Sequence, residues 1–373
     1  MKYRRFGRTN LVLSVFSLGT MRCLASETKF QQTVNAAIAK GINHIETAKG
    51  YGKSEEYLGK TLKTLPRDKL YITTKIPPIP APEMTTAITD SLQRLQLDYI
   101  DCLAIHGVNT QEHLELITSR DGCLKPIQKA IAAGKIRHLG FSTHGSVELI
   151  TATINTNLFA FVNLHYYYFW QRNQAIIELA KSKDLGIFII SPGDKGGRLY
   201  QPSSTLVNLC QPFTPLELSY RFLLSNPDIT TLSVGPANPS ELDTPLTVAN
   251  QDYPLTPGEK EILAKLDTHL RQELTTDYCS QCYQCLPCPE TINIPEILRL
   301  RNLAIGYDMT DYGKYRYAML ENAGHWFPGQ KGNRCTSCGD CLPRCPEKLD
   351  IPKLLLDTHN RLNGPNRRRL WED

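Results

Sequence analysis

Eight of the twelve cysteines fall between Cys279 and Cys345, in two runs of four. Cys279, Cys282, Cys285 and Cys288 are spaced C-x2-C-x2-C-x2-C-P; Cys335, Cys338, Cys341 and Cys345 are spaced C-x2-C-x2-C-x3-C-P. Such clustering is the wrong pattern for a secreted disulfide framework and the right one for metal ligands in a reducing compartment. Cys23, Cys102, Cys123 and Cys210 lack any such spacing and read as buried thiols that pack like small apolar side chains.

Three thiolates at this spacing wrap one corner of a cubic cluster, while the fourth, ahead of a proline, points away from it. The second run has the spacing of bacterial two-cluster ferredoxins, where the fourth cysteine ligates the other cluster. On that pattern one [4Fe–4S] cluster takes Cys279, Cys282, Cys285 and Cys345, and the other takes Cys335, Cys338, Cys341 and Cys288. The first run is one residue shorter before its last cysteine. The alternative is a pair of zinc sites with four cysteine ligands each, but zinc ligands usually come as two separated C-x2-C pairs.

The rest of the chain is long enough for a large core. Of 373 residues, 41% are hydrophobic and 21% charged, which excludes wholesale disorder. A net charge of +5, from 42 basic and 37 acidic residues, is too balanced for a dedicated nucleic-acid binder. No apolar run approaches the ~20 residues of a membrane span. Lys2, Arg4 and Arg5 ahead of Leu11–Leu18 faintly resemble a signal peptide, but Ser14 and Ser17 interrupt the stretch and no small-residue cleavage site follows. A strand is the better reading, and a cytoplasmic location is expected.

From about residue 13 to 275, short apolar runs alternate with amphipathic helical stretches. The strands expected are Val15–Thr20, Asn43–Thr47, Leu70–Lys75, Ile100–His106, His138–Ser142, Ala160–Leu164, Gly186–Ser191 and Thr231–Val234. Between them lie helices such as Met84–Leu95, whose Met84, Ala87, Ile88, Leu92 and Leu95 form one stripe. Eight such units predict a (β/α)8 TIM barrel over residues 1–275 rather than an open sheet. Neither a G-x-G-x-x-G fingerprint nor a P-loop is present.

Residues 276–373 read as a small, mostly helical ferredoxin-like domain. Cys288-Pro-Glu-Thr-Ile-Asn-Ile-Pro-Glu-Ile-Leu298 echoes Cys345-Pro-Glu-Lys-Leu-Asp-Ile-Pro-Lys-Leu-Leu355 at an offset of 57 residues. Each copy closes a cysteine run and opens a helix with Pro295 or Pro352, where the missing N–H costs nothing. Asn366–Asp373, with Arg367–Arg369, reads as a solvated tail.

Barrel enzymes carry their chemistry at the C-terminal ends of the strands. There the sequence offers Glu46, with Tyr51 in the loop beyond, then Lys75 and His106. An ammonium beside a phenol lowers the phenol's pKa, and a carboxylate keeps that ammonium charged and placed. Histidine can donate a hydrogen bond to a substrate oxygen. Together they make a proton donor for a carbonyl oxygen becoming an alkoxide. Taken singly, each has a structural reading: a rim tyrosine, a Lys75–Glu46 ion pair, a strand-end histidine.

The stretches Ile45-Glu-Thr-Ala-Lys-Gly-Tyr-Gly52, Tyr71-Ile-Thr-Thr-Lys75, Tyr99-Ile-Asp-Cys-Leu-Ala-Ile-His106 and Gly134-Lys-Ile-Arg-His-Leu-Gly-Phe-Ser142 resemble the aldo-keto reductase superfamily, in the family's order. The resemblance runs from about Phe6 to Leu274. It implies a (β/α)8 barrel that reduces aldehydes and ketones with NADPH through an Asp–Tyr–Lys–His tetrad. Tyr51, Lys75 and His106 match that tetrad, and Glu46 replaces the aspartate. The cysteine-rich end is similar to a subgroup carrying a ferredoxin-like domain with two [4Fe–4S] clusters.

The resemblance further implies cofactor contacts at Ser142, Asn163 and Ser191, with Gly19 and Thr20 as further candidates. In the loop Ser191-Pro-Gly-Asp-Lys-Gly-Gly197, glycines such as Gly193 permit close approach to a pyrophosphate and Lys195 adds a charge, the alternative being a plain flexible connection. Several positions depart from the family. Thr143 stands for an asparagine, Asn163 for a glutamine, and Ile190 for a stacking tyrosine. Gly235-Pro-Ala-Asn-Pro-Ser240 lacks the arginine placed on a 2′-phosphate. NADP(H) or NAD(H) is therefore expected without a preference, beside the two clusters. The leading expectation is reduction of a small carbonyl substrate, with the clusters as an electron relay. One alternative is a reductase fed by a ferredoxin or another one-electron donor with little nicotinamide use; another is a non-enzymatic redox sensor.

Overall fold

A computed structural model of the chain describes residues 1–251 and 254–366; the basic stretch Arg367–Arg369 lies outside them. The strands are β1 (Tyr3–Arg5), β2 (Val12–Ser14), β3 (Phe16–Gly19), β4 (His44–Glu46), β5 (Tyr71–Ile76), β6 (Ile100–His106), β7 (Ile136–Ser142), β8 (Phe161–Leu164), β9 (Gly186–Ile189) and β10 (Thr231–Val234). The last eight close a parallel barrel in the order β10-β3-β4-β5-β6-β7-β8-β9. They are the eight strands that the alternation predicts, with helical segments between them. The Met84 stripe belongs to a helix over Ala81–Leu95, with Met84, Ala87, Ile88, Leu92 and Leu95 all buried.

Leu11–Leu18 is not one strand. It breaks at Val15 into β2 and β3, and β2 pairs antiparallel with β1. This hairpin plugs the N-terminal end of the barrel. Phe6 is fully buried, packs 5.2 Å from the ring of Phe161, and presses on Gly186, where any Cβ would stand 2.3 Å from the Phe6 ring. Above Phe6 the interior turns polar. His44 meets Ser17 Oγ through Nδ1 at 2.6 Å and Thr73 Oγ1 through Nε2 at 2.7 Å, and Ser17 meets Thr231 at 2.7 Å. Both ring nitrogens are thus satisfied by neutral hydroxyls, and burial pushes the His44 pKa down to about 3.

The described residues divide into two compact units, Met1–Gly196 with those of 219–254, and Gly197–Leu218 with those from Leu255 to Asn366. The helix Pro257–Leu274 packs within the second unit. There Gly306 lets Leu270 approach so closely that a Cβ would stand 2.3 Å from its Cδ1, and Tyr307 Oη donates to Leu266 O at 2.9 Å.

The second unit is helical, and its internal repeat is visible in the backbone. Helices Ile294–Tyr307 and Ile351–Leu362 each open on the proline of one repeat copy. Arg301 on the first bridges to Asp357 on the second at 2.8 Å. Among the described residues, no helix is long and apolar enough to cross a membrane.

Candidate active site and cluster sites

Glu46, Lys75 and His106 lie at the C-terminal ends of β4, β5 and β6, and the barrel brings them to one point with Tyr51. Lys75 Nζ donates to Glu46 Oε2, to Thr47 O at 2.9 Å and to Tyr51 Oη at 3.4 Å. The ammonium also lies 4.8 Å from the centre of the Tyr51 ring, and the His106 ring stands edge-on to that ring at 5.9 Å. Glu46 and Lys75 are buried; Tyr51 and His106 are half-buried and reach the mouth.

The local chain explains this placement. Beyond β4, Thr47 N and Lys49 N continue to bond carbonyls of β5, then Tyr51 N turns back to Ala48 O and Ser54 N to Tyr51 O. Three buried hydroxyls pin the start of the helix Ser54–Leu62. Thr47 and Ser54 meet at 2.8 Å, Ser54 Oγ donates to Thr20 Oγ1, and Thr20 Oγ1 donates to Glu46 O. Thr20, a candidate cofactor contact by sequence, is thereby engaged in holding the tetrad.

The electrostatics differ in sign from the sequence expectation for Tyr51. Burial pushes its phenol above the ordinary value; Lys75 opposes this, and Glu46 adds to it. The net direction is upward, so the phenol holds its proton firmly across the neutral range. Burial would lower the Lys75 pKa, but Glu46 and Tyr51 outweigh it and hold the ammonium above its ordinary value. The site therefore holds a protonated phenol in the field of a compensated ammonium.

The candidate cofactor residues spread over neighbouring strand ends. Ser142 on β7 stands in register with Asn163 on β8, and Ser142 Oγ accepts from Gly107 N at 3.0 Å. The Asn163 side chain is fully buried, and neither its Oδ1 nor its Nδ2 finds a partner in the protein. Orphaned buried amide atoms cost free energy unless a ligand meets them, and a carboxamide has the donor and acceptor to do so. This fits a nicotinamide at that point. Beyond β9, Ser191 has a φ of +55° and its carbonyl accepts from Lys195 N at 3.0 Å, which coils Pro192, Gly193 and Asp194 into a tight loop. Gly19 ends β3 beside Glu46.

Three groups escaped the sequence reading. Ser233 on β10 donates to Glu46 Oε1 at 3.0 Å. Arg22, in the loop after β3, donates to Gly235 O at 2.7 Å and pairs with Glu241 at 2.8 Å, beside the segment lacking the family's arginine. Within that segment Asn238 caps the turn Pro239–Leu242, accepting from Ser240 N at 3.1 Å. His165 meets Tyr167 through Nδ1 at 2.5 Å and His144 through Nε2 at 3.1 Å, beyond the ends of β7 and β8. No local pattern marks the contacts of Ser233 with Glu46, of Arg22 with Gly235 and Glu241, or of His165 with His144, because each joins residues from different strands or loops.

In the second unit, two cavities collect the eight clustered cysteines. One is lined by Cys279, Cys282, Cys285 and Cys345; the other by Cys288, Cys335, Cys338 and Cys341. These are the sets produced by exchanging the last cysteine of each run. Gln281, Tyr283, Ser337 and Gly339 all have positive φ, one before and one after each of Cys282 and Cys338. Such reversals curl a loop around its own centre and turn backbone N–H groups inward, as anion-binding loops do. Thr291 and Lys348, 57 residues apart, share a φ of +53°. Four thiols ringing a cavity fit a cubane, whose charge the N–H groups offset. Cys23, Cys102, Cys123 and Cys210 are buried elsewhere, and burial pushes Cys23 up to about 12 and Cys123 and Cys210 up to about 11, so they are inert at neutral pH.

A closed parallel barrel with a tyrosine–lysine–carboxylate–histidine site, followed by a two-cavity cysteine unit, is the architecture of an iron–sulfur oxidoreductase. The Aldo/keto reductase family model matches residues 16–267, and a 4Fe-4S dicluster domain model matches residues 278–349. The chain belongs to the aldo/keto reductase family and carries a 4Fe–4S dicluster domain at its C-terminal end. It is 28% identical over 281 residues to an L-galactose dehydrogenase of Arabidopsis thaliana, covering 65% of this chain and 86% of the relative. It is 23% identical over 313 residues to an uncharacterized oxidoreductase of Bacillus subtilis, covering 74% and 98%. Among solved structures, an aldo-keto reductase from Bacillus halodurans in its holo form superposes with a TM-score of 0.63 over 71% of this chain and 96% of that one, at 22% identity. That likeness is one of fold.

Proposed function

We propose that the barrel reduces the carbonyl group of a small substrate, with Tyr51 as general acid and NADP(H) or NAD(H) as hydride donor. The observation that carries this reading is the contact of Lys75 Nζ with both Glu46 and the Tyr51 hydroxyl. A carbonyl oxygen at the mouth would accept hydrogen bonds from Tyr51 Oη and from the His106 ring, whose centre lies 5.9 Å from that of the tyrosine ring. As negative charge builds on that oxygen, Tyr51 Oη gives up its proton, and Lys75 stabilises the phenolate left behind. When bound, a reduced nicotinamide supplies the hydride for the carbonyl carbon. Ser142 and Asn163 would hold its carboxamide, and the Ser191–Lys195 loop would receive its phosphates.

The two cysteine cavities favour a second component of the function. Clusters there supply one-electron transfer, which hydride reduction does not require. We assign them to an electron relay served by a ferredoxin or another one-electron donor, in a reducing compartment such as the cytoplasm. Anaerobically purified protein, assayed on a panel of aldehydes and ketones with NADPH, NADH and reduced ferredoxin in turn, tests both components. Turnover with either nicotinamide supports the hydride reading; turnover with ferredoxin alone replaces it with the one-electron route; turnover with none rejects the reductase reading.

A further inference from the structure

The carboxylate that holds Lys75 is shared with a residue from the last barrel strand. Glu46 turns Oε2 to Lys75 Nζ and accepts through Oε1 from Ser233 Oγ at 3.0 Å. Ser233 is on β10 and Glu46 on β4, with β3 between them. The contact spans that strand because β3 presents Gly19 at this level. A Cβ there would stand 2.7 Å from Ser233 Oγ and 3.1 Å from Glu46 Oε1, so any larger residue displaces the hydroxyl. The longer glutamate side chain ends between the ammonium and this hydroxyl.

The geometry points to Ser233 as a positioning residue that, by holding Glu46 Oε1, divides the carboxylate's charge between Lys75 and a neutral donor. This inference rests on the reading of Tyr51 as the proton donor. A hydrogen bond to an ionised acceptor is strong and draws charge toward the donor. Glu46 raises the Tyr51 pKa and Lys75 lowers it, so charge drawn to Ser233 leaves the ammonium with more influence on the phenol. The other titratable groups around the pair are His106 at the end of β6 and His44, one layer down on β4. Strands β3 and β10 contain no charged residue. Removing the Ser233 hydroxyl must therefore make Tyr51 a weaker acid.

The test places 3,5-difluorotyrosine at position 51 of the full, cluster-loaded protein and follows its ionisation by fluorine NMR, which needs no turnover. Ser233→Ala is expected to raise the titration midpoint by ~0.5 pH unit or more, and Ser233→Thr, which keeps the hydroxyl, to leave it in place. Gly19→Ala, which pushes the hydroxyl aside without deleting it, is expected to raise the midpoint as well, and it decides the matter if Ser233→Ala does not fold. In NADPH-dependent reduction of 4-nitrobenzaldehyde, the alkaline limb of kcat should move up with the midpoint while KM changes little. A midpoint unmoved in the alanine variants overturns the role of Ser233. Full turnover by Tyr51→Phe would instead overturn the proton-donor reading and leave the measured midpoint as a fact about the ion pair.

Discussion

Cys345 lines the same cavity as Cys279, sixty-six residues earlier in the chain, and not the cavity of its near neighbours Cys338 and Cys341. Cys288 makes the reciprocal crossing to Cys335. The two runs are thereby interlocked, so neither cavity can form from one run alone. Cluster assembly and folding of this unit are consequently coupled, as binding that needs a formed site contributes its free energy to folding.

Anaerobic preparations should contain ~8 iron and ~8 acid-labile sulfide per chain. Metal and sulfide analysis, with the broad visible absorption of iron–thiolate bonds, checks this; stoichiometric zinc without that absorption would contradict it. Cys345→Ser should damage the cluster otherwise held by Cys279, Cys282 and Cys285. Electron paramagnetic resonance of the reduced variant would show the opposite if the loss were confined to the other cluster.

Tyr51→Phe should lower turnover by ~10²-fold or more, the scale on which a general acid contributes. Substrate binding should change little, since the ring and its edge contact with His106 remain. Steady-state kinetics on any carbonyl substrate found in the panel would read this as a fall in kcat at nearly constant KM.

His44 should make the barrel sensitive to acid. Its folded pKa of about 3 lies below the unfolded value of 6.5, so the unfolded chain takes up the proton first. The stability this represents is complete above pH 6.5 and falls by about 1.4 kcal/mol for each pH unit below it, until the folded pKa is reached. His44→Asn removes that contribution. Its thermal midpoint should lie below that of the unaltered protein at pH 7.5, and the gap should narrow by pH 5; a gap independent of pH would refute it.

The nicotinamide should bind with little preference between NADPH and NADH. A 2′-phosphate is best held by an uncommitted arginine, whereas Arg22, beside Gly235, is already paired with Glu241. Fluorescence titration of the anaerobic protein with both nucleotides measures the ratio, and strong discrimination for NADPH would contradict it. Asn163→Ala should weaken both nucleotides alike, by about tenfold, the scale of one amide hydrogen bond made in a buried site.

The positions of the barrel strands were legible in the sequence. Eight apolar runs alternating with helical stretches fit a parallel sheet covered on both faces, and their number and spacing favoured a closed barrel over an open sheet, with Glu46, Lys75 and His106 at strand ends. The cysteine spacings and the 57-residue repeat marked the cluster unit in the same way, because both are local properties of the chain. The N-terminal hairpin was less visible, since two three-residue strands leave too short a pattern.

What only the tertiary structure decided concerns groups brought together from distant segments. Whether burial or Lys75 governs the Tyr51 phenol depends on how much water the folded mouth admits, and burial prevails. Ser233 reaches Glu46 because β10 closes onto β3 at Gly19, a meeting of the first and last barrel strands that no local pattern encodes. Arg22 meets Glu241 by the same closure. The sequence by itself determined which elements form and which residues carry charge or thiol; the fold decided which of them share a site, because desolvation and Coulomb attraction act through space and not along the chain.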